Sequence, residues 1–197
     1  MIRIGITGGI GSGKSVVSHI LKNLGIPVYI ADNEAKRLMV SHPDIREDLV
    51  NLLGEEVYST QGVNKDLLAK YLFSCPENTK KINSIIHPRV KKDILCWYQE
   101  NKHKPILAME SAILFEAGFE DTIDYVILVY APQNIRIGRV IKRDNTTPNL
   151  VQKRITTQLN DQQKLNKADF LIINDDSTPL LEQILLFVKY ISTEKKP

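Results

Sequence analysis

The sequence predicts an α/β fold in which a parallel five-stranded sheet is flanked by helices. Short apolar runs recur along the chain, separated by segments of helical periodicity, and this alternation is typical of strands covered on both faces. A glycine-rich segment of the phosphate-binding type joins the first apolar run to the first helical segment. The chain has 197 residues, of which 43% are hydrophobic, so it can bury a sizeable core, and we expect one domain spanning 1–197.

Each element is predicted from its own pattern. Strands are expected where apolar residues dominate short runs, at 2–7, 27–30, 106–109, 125–130 and 170–173. Helices are expected from the glycine-rich loop to a stop at Gly25, and then at about 32–40, 132–143 and 179–190. Between about 41 and 101 the apolar spacing is helical throughout, and Pro88 suits the first turn of the last helix in that stretch. The tail 193–197 is expected to be frayed.

Residues 8–15 form a complete G-x-x-x-x-G-K-S phosphate-binding motif with the strand and the helix that this motif requires. Glycines let the backbone approach a ligand closely, so that successive N–H groups and the helix N-terminus can face a polyphosphate. Lys14 is expected to reach the β- and γ-phosphates, and the Ser15 hydroxyl to join the shell of Mg²⁺. The motif therefore predicts a nucleoside triphosphate site; a glycine-rich turn without a ligand is the alternative.

The net charge of +3 is placed unevenly along the chain. Eight basic residues stand against Asp144 and Asp161 in the segment 133–167, namely Arg136, Arg139, Lys142, Arg143, Lys153, Arg154, Lys164 and Lys167. A basic patch can bind nucleic acid, but no aromatic residue interleaves these cations as a stacking platform for single strands requires. In a chain with a phosphate loop, a clamp on polyphosphate is the better interpretation.

The composition indicates a cytoplasmic protein. The chain runs from Met1 into a predicted strand without the pattern of a signal segment, and no apolar stretch approaches the roughly 20 residues of a membrane span. Cys75 and Cys96 lack metal-ligand or redox spacing and are expected to be reduced thiols. We expect no membrane association.

One short motif points to a different class of protein. Residues 166–169 match N-K-x-D, which recognises guanine in GTPases. In those proteins the motif follows an apolar strand, whereas here it precedes one, and the chain contains no D-x-x-G. The GTPase interpretation is therefore disfavoured.

Asp32 is the strongest candidate for a catalytic base. It follows the second predicted strand, at the carboxyl edge of the sheet, where ligands of such folds bind. A carboxylate at that edge could orient an acceptor hydroxyl and take its proton during phosphoryl transfer. The alternative is a plain helix N-cap, because Asp is a favoured capping residue and a helix follows.

Taken together, these segments resemble the dephospho-CoA kinase family over nearly the whole chain, from Ile2 to about Asp176. The family's opening is matched by the run from Ile6 to Ser15, and the end of its Asp-Ala-Asp segment by Ala31-Asp32. Its other segments are matched, in chain order, by Ile86-His87-Pro88-Arg89-Val90, Leu114-Phe115-Glu116-Ala117-Gly118, Arg139, Arg143-Asp144, Gln158 and Ile173-Asn174.

The sequence departs from the family pattern at three places. Ile30 stands where the first Asp of Asp-Ala-Asp is usual, and Lys36 stands where an Arg is usual, which keeps the charge without the two-pronged guanidinium. The usual Asp-x-Pro is Glu110-Ser111-Ala112, which retains one carboxylate. None of these changes removes a part of the phosphoryl-transfer machinery.

The resemblance implies a P-loop kinase fold that transfers phosphate from ATP to the 3′-hydroxyl of the ribose of dephospho-CoA, the final step of coenzyme A biosynthesis. It implies a core at about 1–31, 104–143 and 168–192, a helical acceptor-binding region at about 32–103 and a basic lid at about 144–167. The implied cofactors are ATP and Mg²⁺, the latter contacted by Ser15. We expect a monomer with small-molecule partners and no nucleic acid.

The resemblance also implies roles for individual residues. The implied catalytic residues are Asp32, Lys14, Arg139 and Arg143. The implied nucleotide-binding residues are Thr7, Gly8, Gly9, Gly11, Ser12, Gly13, Lys14, Ser15, Val16 and Asn174. The implied acceptor-binding residues are Lys36, His87, Arg89, Glu110 and Glu116.

Alternatives remain open at this stage. His87-Pro88 could be a helix junction, Arg89 a solvated charge and Glu116 a helix cap. A nucleoside or nucleotide kinase would share the sheet, the loop and the lid but use another acceptor. A non-catalytic nucleotide-responsive module is a third possibility, and retention of Asp32 argues against it because a pure binder needs no acceptor-side base.

Overall fold

Five strands form one parallel sheet, as the apolar runs predict. The computed structural model describes residues 1–60 and 62–193, so most of the tail expected to be frayed lies outside the described residues. The sheet has the order β2-β5-β1-β6-β7, with the strands β1 (Ile2–Thr7), β2 (Val28–Ile30), β5 (Ile106–Glu110), β6 (Tyr125–Tyr130) and β7 (Phe170–Ile173). Every neighbouring pair in it is parallel.

The strand register brings the ends of the central strands to one edge. Glu110 at the end of β5 is in register with Ile6 of β1 and with Ile30 of β2, and Thr7 is in register with Leu128. Because all strands run in the same direction, the loops after β1, β5, β6 and β7 leave from this edge. It is the edge at which ligands of such sheets bind.

The chain divides into two compact units, and the sheet belongs to the first, which comprises residues 1–30 and the described residues from 100 onward. Its helices are α1 (Lys14–Asn23), α6 (Gln133–Asp144), α7 (Pro148–Thr156), α8 (Asp161–Leu165) and α9 (Leu180–Thr193). A buried core joins α1 and α9 to the sheet through Val17, Leu21, Ile184 and Phe187. The helix α1 ends as predicted, because Gly25 has a φ of +81° and its N–H donates to the carbonyl of Lys22.

The second unit comprises residues 31–99 and is mostly helical. Its elements are α2 (Ala31–Ser41), α3 (Pro43–Leu53), the short strands β3 (Tyr58–Ser59) and β4 (Gly62–Val63), α4 (Lys65–Ser74) and α5 (Pro76–Glu100). The antiparallel hairpin β3–β4 corrects the expectation of an uninterrupted helical stretch. Two strands of two residues carry no periodicity that a sequence pattern could detect; Tyr58, buried and bonded through its hydroxyl to the Met39 carbonyl at 2.6 Å, holds the hairpin in place.

Pro88 lies inside α5 and does not begin a helix, so the prediction of its place in a first turn is wrong. A proline interior to a helix lacks the N–H that would bond to the carbonyl four residues earlier. The helix continues because its apolar residues are buried on both sides of the proline, Ile82 and Ile86 before it and Val90 and Ile94 after it. Packing therefore overrides the local preference of proline for a helix start.

Candidate functional site

The loop between β1 and α1 has the backbone geometry of a phosphate cradle. Gly11 and Gly13 have φ angles of +79° and +93°, and Gly13 is the N-cap of α1. A Cβ on Gly13 would overlap the side-chain amide of Asn174, and one on Gly8 would overlap the carbonyl oxygen of Val129. The loop is thus closely packed on two sides, and it leads into a helix N-terminus, where N–H groups and the helix dipole favour an anion.

Lys14 lies across the loop at the start of α1. Its Nζ donates to the carbonyl oxygens of Gly8 at 2.9 Å and Gly9 at 3.3 Å. Ser15 and Val16, in the same helical turn, are exposed, so that their surfaces are accessible to a ligand of the loop. The structure places these three residues where the motif requires them, and their roles stay predictions.

The side chains of Thr7 and Ser12 are buried at the phosphate loop. Both side chains are fully buried, and neither hydroxyl has a hydrogen-bond partner within residues 1–60 and 62–193. Because the hydroxyls do not reach the surface, a contact of either residue with a nucleotide would come from its backbone N–H. Their predicted participation is therefore through the main chain.

Asn174 and Arg139 connect the phosphate loop to the segment after β7. The Asn174 side-chain amide donates to the Ser12 carbonyl at 2.8 Å, and Arg139 donates to the Asn174 carbonyl at 3.0 Å and to the Asp176 carboxylate at 2.5 Å. Arg139 also donates to the Gly11 carbonyl at 3.4 Å. A direct contact between Arg139 and a phosphate would replace one of these bonds, so this arginine, as placed, bridges two sides of the site.

Arg143 lies at the end of α6 in an exposed charge cluster. Its guanidinium bonds to Asp144 at 2.7 Å, and Arg154 of α7 bonds to the same carboxylate at 2.9 Å. The hydrogen bond from Arg143 is the main cause that lowers the pKa of Asp144, and the same bond raises the pKa of Arg143. The Arg143 side chain is 63% exposed, so it can leave this cluster for a ligand at little cost in packing.

The segment between α7 and α8 is fastened to the loops at the carboxyl edge of the sheet. Gln158 accepts a hydrogen bond from the Ile10 N–H at 3.0 Å, and Glu116 accepts one from the Leu159 N–H at 2.7 Å. The fully buried Lys164 donates to the Ala112 carbonyl at 3.0 Å, and burial lowers its pKa. Glu116 is predicted to contact the substrate that accepts the phosphoryl group. In the structure its carboxylate binds the backbone of the segment after α7.

Arg136 is a residue of this site that sequence patterns did not single out. Its guanidinium is buried under the phosphate loop and pairs with Asp161 at 3.0 Å. The two residues are separated by 25 positions, and no local motif links them. The only signal in the sequence was membership of the basic segment, which does not distinguish a buried arginine from an exposed one.

Glu110 lies at the end of β5 and contacts α1. Its carboxylate accepts a hydrogen bond from the buried Ser18 hydroxyl at 2.6 Å. The carboxylate is therefore held near the helix that follows the phosphate loop, on the same sheet edge. This position suits a role at the nucleotide as well as the predicted role at the acceptor.

Asp32 and Lys36 belong to the second unit and lie on α2. Asp32 is the second residue of the helix, inside its first turn and not at the cap, and its side chain is exposed. Within the residues that the structure describes, its carboxylate makes no hydrogen bond or ion pair. Lys36, four residues later, is exposed and follows on the same helical face. Both groups are therefore available to a ligand.

His87 and Arg89 lie in the interior of α5. Burial lowers the pKa of His87, which favours the neutral imidazole. Arg89 bonds to Asp48 of α3 at 2.7 Å and to the Ile85 carbonyl at 3.1 Å. Arg89 therefore joins α5 to α3 and is not a solvated charge, which removes one of the two alternatives considered for it.

The disfavoured guanine motif has a structural explanation. Asp169 accepts a hydrogen bond from the Val126 N–H at 2.8 Å, just before β7 and near the start of β6. This is the amino end of the sheet, whereas the phosphate loop lies at the carboxyl end. Asp169 therefore links two strand starts.

The described residues contain no group of three or more His, Cys, Asp or Glu side chains arranged to hold a metal ion on its own. No helix within them is long and apolar enough to cross a membrane.

A parallel sheet of this order, with a phosphate loop after its first strand and an arginine-bearing segment facing that loop, defines a P-loop kinase fold. The family model CoaE, dephospho-CoA kinase, matches residues 2–179. The chain belongs to the dephospho-CoA kinase family.

Individual proteins show the same relationship. The chain is 47% identical to a dephospho-CoA kinase of Bacteroides fragilis (strain YCH46) over 190 residues, which is 96% of this chain and 93% of that protein. A protein of Thermus thermophilus with a known crystal structure is 33% identical, with a TM-score of 0.84 over 98% of each chain. A dephospho-CoA kinase from Campylobacter jejuni shares the fold, with a TM-score of 0.68 and 24% identity over 97% of this chain and 96% of that one.

Proposed function

We propose that this chain transfers the γ-phosphoryl group of ATP to the 3′-hydroxyl of the ribose of dephospho-CoA, which yields coenzyme A and ADP. The observation that carries this proposal is the dephospho-CoA kinase family match over residues 2–179. The closely packed phosphate loop supports it, because phosphoryl transfer depends mainly on positioning and on electrostatic stabilisation.

On the nucleotide side, the loop N–H groups from Gly8 to Ser15 bind the phosphates of ATP. Lys14 exchanges its bonds to the Gly8 and Gly9 carbonyls for the β- and γ-oxygens and neutralises their charge. Asn174 holds the Ser12 carbonyl and thereby keeps the loop in its binding conformation. Val16 offers an exposed apolar surface next to the cradle.

The residues at the loop fit Mg²⁺, which enters with the nucleotide. Ser15 presents an exposed hydroxyl on the first turn of α1, and the Glu110 carboxylate lies at the same sheet edge, bonded to Ser18 of that helix. These are hard oxygen donors, which Mg²⁺ prefers, and the ion normally takes few protein ligands besides phosphate and water. When bound, the metal neutralises charge that develops on the phosphate oxygens.

On the acceptor side, Asp32 takes the proton of the 3′-hydroxyl. Its exposed carboxylate makes no bond within the described part of the chain, so nothing there has to be broken before it accepts a proton. Lys36 offers positive charge for the phosphates of the acceptor, and Arg89 offers it by exchanging its bond to Asp48. His87, favoured in its neutral form, offers a hydrogen bond. Glu116 borders the acceptor through the segment after α7 that it holds.

Arg139 and Arg143 belong to the lid side of the site. Arg143 moves from Asp144 to the transferring phosphoryl group, where its charge stabilises the transition state more than the ground state. Arg139 keeps the phosphate loop attached to the segment after β7 during this step. A closed lid excludes water and so limits ATP hydrolysis. We further propose a cytoplasmic monomer without a nucleic-acid partner.

An acceptor panel tests this proposal. ADP release is measured with ATP, Mg²⁺ and one acceptor at a time: dephospho-CoA, adenosine, other nucleosides and nucleoside monophosphates. We expect turnover with dephospho-CoA and at most background with the rest. Mass spectrometry of the product should show coenzyme A with the new phosphate on the 3′-oxygen.

The Lys14→Ala variant is the matched control for contaminating kinases, because it lacks the loop ammonium. It should be inactive under all conditions of the panel. Turnover with a nucleoside or a monophosphate that exceeds the turnover with dephospho-CoA would establish the other kinase class instead. ATP binding without turnover on any acceptor would indicate a nucleotide-responsive binding module.

A further inference from the structure

Arg136 is a buried charge directly beneath the phosphate loop. It lies on α6, its side chain is 5% exposed, and its two terminal nitrogens bond to the two carboxylate oxygens of Asp161 at 3.3 and 3.0 Å. Burying a guanidinium is costly unless it is paired, and this one has a two-pronged partner. Its Nε atom is buried without a hydrogen-bond partner among the residues described, so the pair with Asp161 leaves one donor of the guanidinium unsatisfied.

The position of Arg136 is set by contact with the loop glycines. A Cβ on Gly9 would overlap the Arg136 guanidinium, and a Cβ on Gly11 would overlap the Arg136 backbone carbonyl. The loop therefore rests on one residue at two points, one on the side chain and one on the main chain. The turn that contains both glycines is closed by a hydrogen bond from the Ser12 N–H to the Gly9 carbonyl, at 3.1 Å.

Asp161 connects this support to the later part of the segment expected to be the lid, at about 144–167. It is the first residue of α8, whose N-cap Asn160 forms a capping box with Gln163. Three residues before Asp161, Gln158 accepts the hydrogen bond of the Ile10 N–H in the phosphate loop. The segment 158–161 thus reaches the loop twice, once through Gln158 and once through the ion pair of Asp161 with Arg136.

We propose that Arg136, held by Asp161, is a positioning residue that fixes the phosphate loop in its nucleotide-binding conformation and couples it to residues 158–161 of the lid segment. It contacts no substrate and acts through Gly9 and Gly11. The inference deepens the proposed function, on which it rests for the identity of the nucleotide. The expected consequence is specific: a substitution in the Arg136–Asp161 pair weakens the binding of ATP and ADP and leaves the binding of the acceptor unchanged.

The physical reason lies in the geometry of backbone N–H groups. A phosphate cradle requires several N–H groups to converge on one anion, and a small shift of Gly9 misaligns them. Each N–H bond to a phosphate is charge-assisted, so the loss of one is expected to weaken binding about tenfold. Fold stability depends on the same pair, so the test has to separate the two effects.

The experiment measures dissociation constants for ADP and ATP by calorimetry, without acceptor, at a temperature where every variant is folded. Asp161→Asn keeps the shape of the side chain and removes the carboxylate that neutralises Arg136 and accepts its two-pronged contact; we expect both nucleotides to bind about tenfold more weakly. In Arg136→Met/Asp161→Leu the buried pair is replaced by apolar groups, which often restores stability. This double variant should regain thermal stability relative to Asp161→Asn and still bind nucleotide weakly.

Asp124→Asn is the matched control. Asp124 accepts two bonds from the Arg3 guanidinium at 2.6 and 3.1 Å near the start of β1, the end of that strand opposite the phosphate loop. It should lower the unfolding temperature without changing nucleotide affinity. In the kinase assay, Asp161→Asn should raise the KM for ATP and leave the KM for dephospho-CoA unchanged.

Two results would overturn the inference. The first is nucleotide affinity within twofold of the wild type in both variants of the pair, which would leave Arg136 a purely structural residue. The second is an equal loss of affinity in Asp124→Asn, which would make the effect one of general destabilisation. If the wild type fails to phosphorylate dephospho-CoA, the proposed function fails, whereas the calorimetric comparison still decides the inference.

Discussion

At the scale of single residues, the glycines of the phosphate loop are constrained by partners far along the chain. Gly13 has a φ of +93° and lies against the Asn174 amide, and Gly8 lies against the Val129 carbonyl. A side chain at either position would overlap a neighbour, and at Gly13 it would also strain the backbone. The motif in the sequence therefore reflects packing against β6 and the segment after β7, as well as the close approach of a ligand.

Asp32 provides the sharpest test at this scale. Asp32→Asn keeps the size of the side chain and removes the proton acceptor, so we expect turnover with dephospho-CoA to fall about 10²-fold or more. Nucleotide affinity should be nearly unchanged, because the substitution leaves the phosphate loop intact. Steady-state kinetics and calorimetry with ADP measure the two quantities.

The matched control for Asp32 is Asp44→Asn. Asp44 is also the second residue of an exposed helical first turn, in α3, so both substitutions remove the same favourable charge near a helix N-terminus. Both variants should therefore lose a similar, small amount of stability, and only Asp32→Asn should lose turnover. Equal turnover in the two variants would exclude Asp32 as the base.

At the scale of elements, the proposed role of Arg143, at the end of α6, can be tested against Arg154 of α7. Arg143 and Arg154 share the carboxylate of Asp144, and their side chains are 63% and 49% exposed. Because the two differ little in packing, Arg154→Ala is a matched control for Arg143→Ala. We expect Arg143→Ala to lower turnover about 10²-fold or more, the scale of a lost arginine at a transferring phosphoryl group, and Arg154→Ala to lower it much less.

Arg143→Lys should recover only part of the activity, because an ammonium cannot reproduce the two-pronged contact of a guanidinium. Turnover of all three variants at saturating ATP and acceptor is the deciding measurement. A loss in Arg154→Ala as large as that in Arg143→Ala would mean that the charge of the cluster matters and not the position of one arginine.

The helix α5 supplies a prediction on pH dependence. Burial lowers the folded-state pKa of His87 below its ordinary value of 6.5, so the unfolded chain binds the proton more readily than the folded one. The free energy of unfolding should therefore fall as the pH drops from 6.5 through the folded-state pKa, and this contribution is fully present above pH 6.5.

His87→Gln removes this titration and should flatten that part of the stability profile. The measurement is urea unfolding at a series of pH values, with His103→Gln as the control for losing one imidazole from an exposed position. A slope unchanged in His87→Gln would show that His87 does not protonate differently in the two states.

Helices and strands could be predicted from the sequence where their apolar pattern is long or where a contiguous motif marks them. The strand β6 consists of six consecutive apolar residues, and the loop motif carries its own flanking signals, so both could be identified from the sequence. The hairpin β3–β4 could not, because its two strands are too short to show a period. The passage of α5 through Pro88 could not either, because it depends on the burial of Ile86 and Val90.

At the scale of the whole molecule, ion pairs neutralise most of the charge of the basic segment. Six of its eight cations pair with carboxylates among the described residues, and the pairs are Arg136–Asp161, Arg139–Asp176, Arg143–Asp144, Arg154–Asp144, Lys164–Glu116 and Lys167–Glu120. Three of these acids, Glu116, Glu120 and Asp176, lie outside the segment in the sequence. Counting charges along the chain cannot find them, because only the fold brings them to the cations.

The same limit applies to the site. The phosphate loop, Lys14 and Ser15 follow from one contiguous motif, and Asp32 from its place after a strand. Arg136 and its partner Asp161 are 25 residues apart, and Gln158 bonds to the Ile10 N–H across 148 residues, so no local signal marks these contacts. The positions of candidate residues in a contiguous motif could be predicted from the sequence, whereas the residues that support them through tertiary contacts could not.

Neutralisation of the basic segment leads to a prediction on partners. Nucleic-acid affinity without sequence preference comes from cations that displace counterions from phosphates, and a cation already paired with a carboxylate contributes less. Lys142 and Lys153 form no ion pair in the described part of the chain, so they are the cations of the segment most available for this. We therefore expect binding to a single-stranded oligonucleotide weaker than about 10⁻⁴ M at physiological salt. The salt dependence should be shallow, with a slope of about one to two in a plot of the logarithm of affinity against that of salt, since only about two phosphates would be neutralised.

Fluorescence anisotropy of a labelled oligonucleotide across a series of salt concentrations checks both numbers. Lys142→Gln/Lys153→Gln is the variant that should abolish the remaining binding and leave kinase turnover intact, because neither lysine is assigned a role at the nucleotide or the acceptor. Micromolar affinity with a slope of about four or more would mean that the paired cations exchange their carboxylates for nucleic-acid phosphates, because each phosphate neutralised on a single strand adds about 0.7 to the slope. In that case ATP, for which we propose a contact with Arg143 in the same segment, should compete with the oligonucleotide for binding.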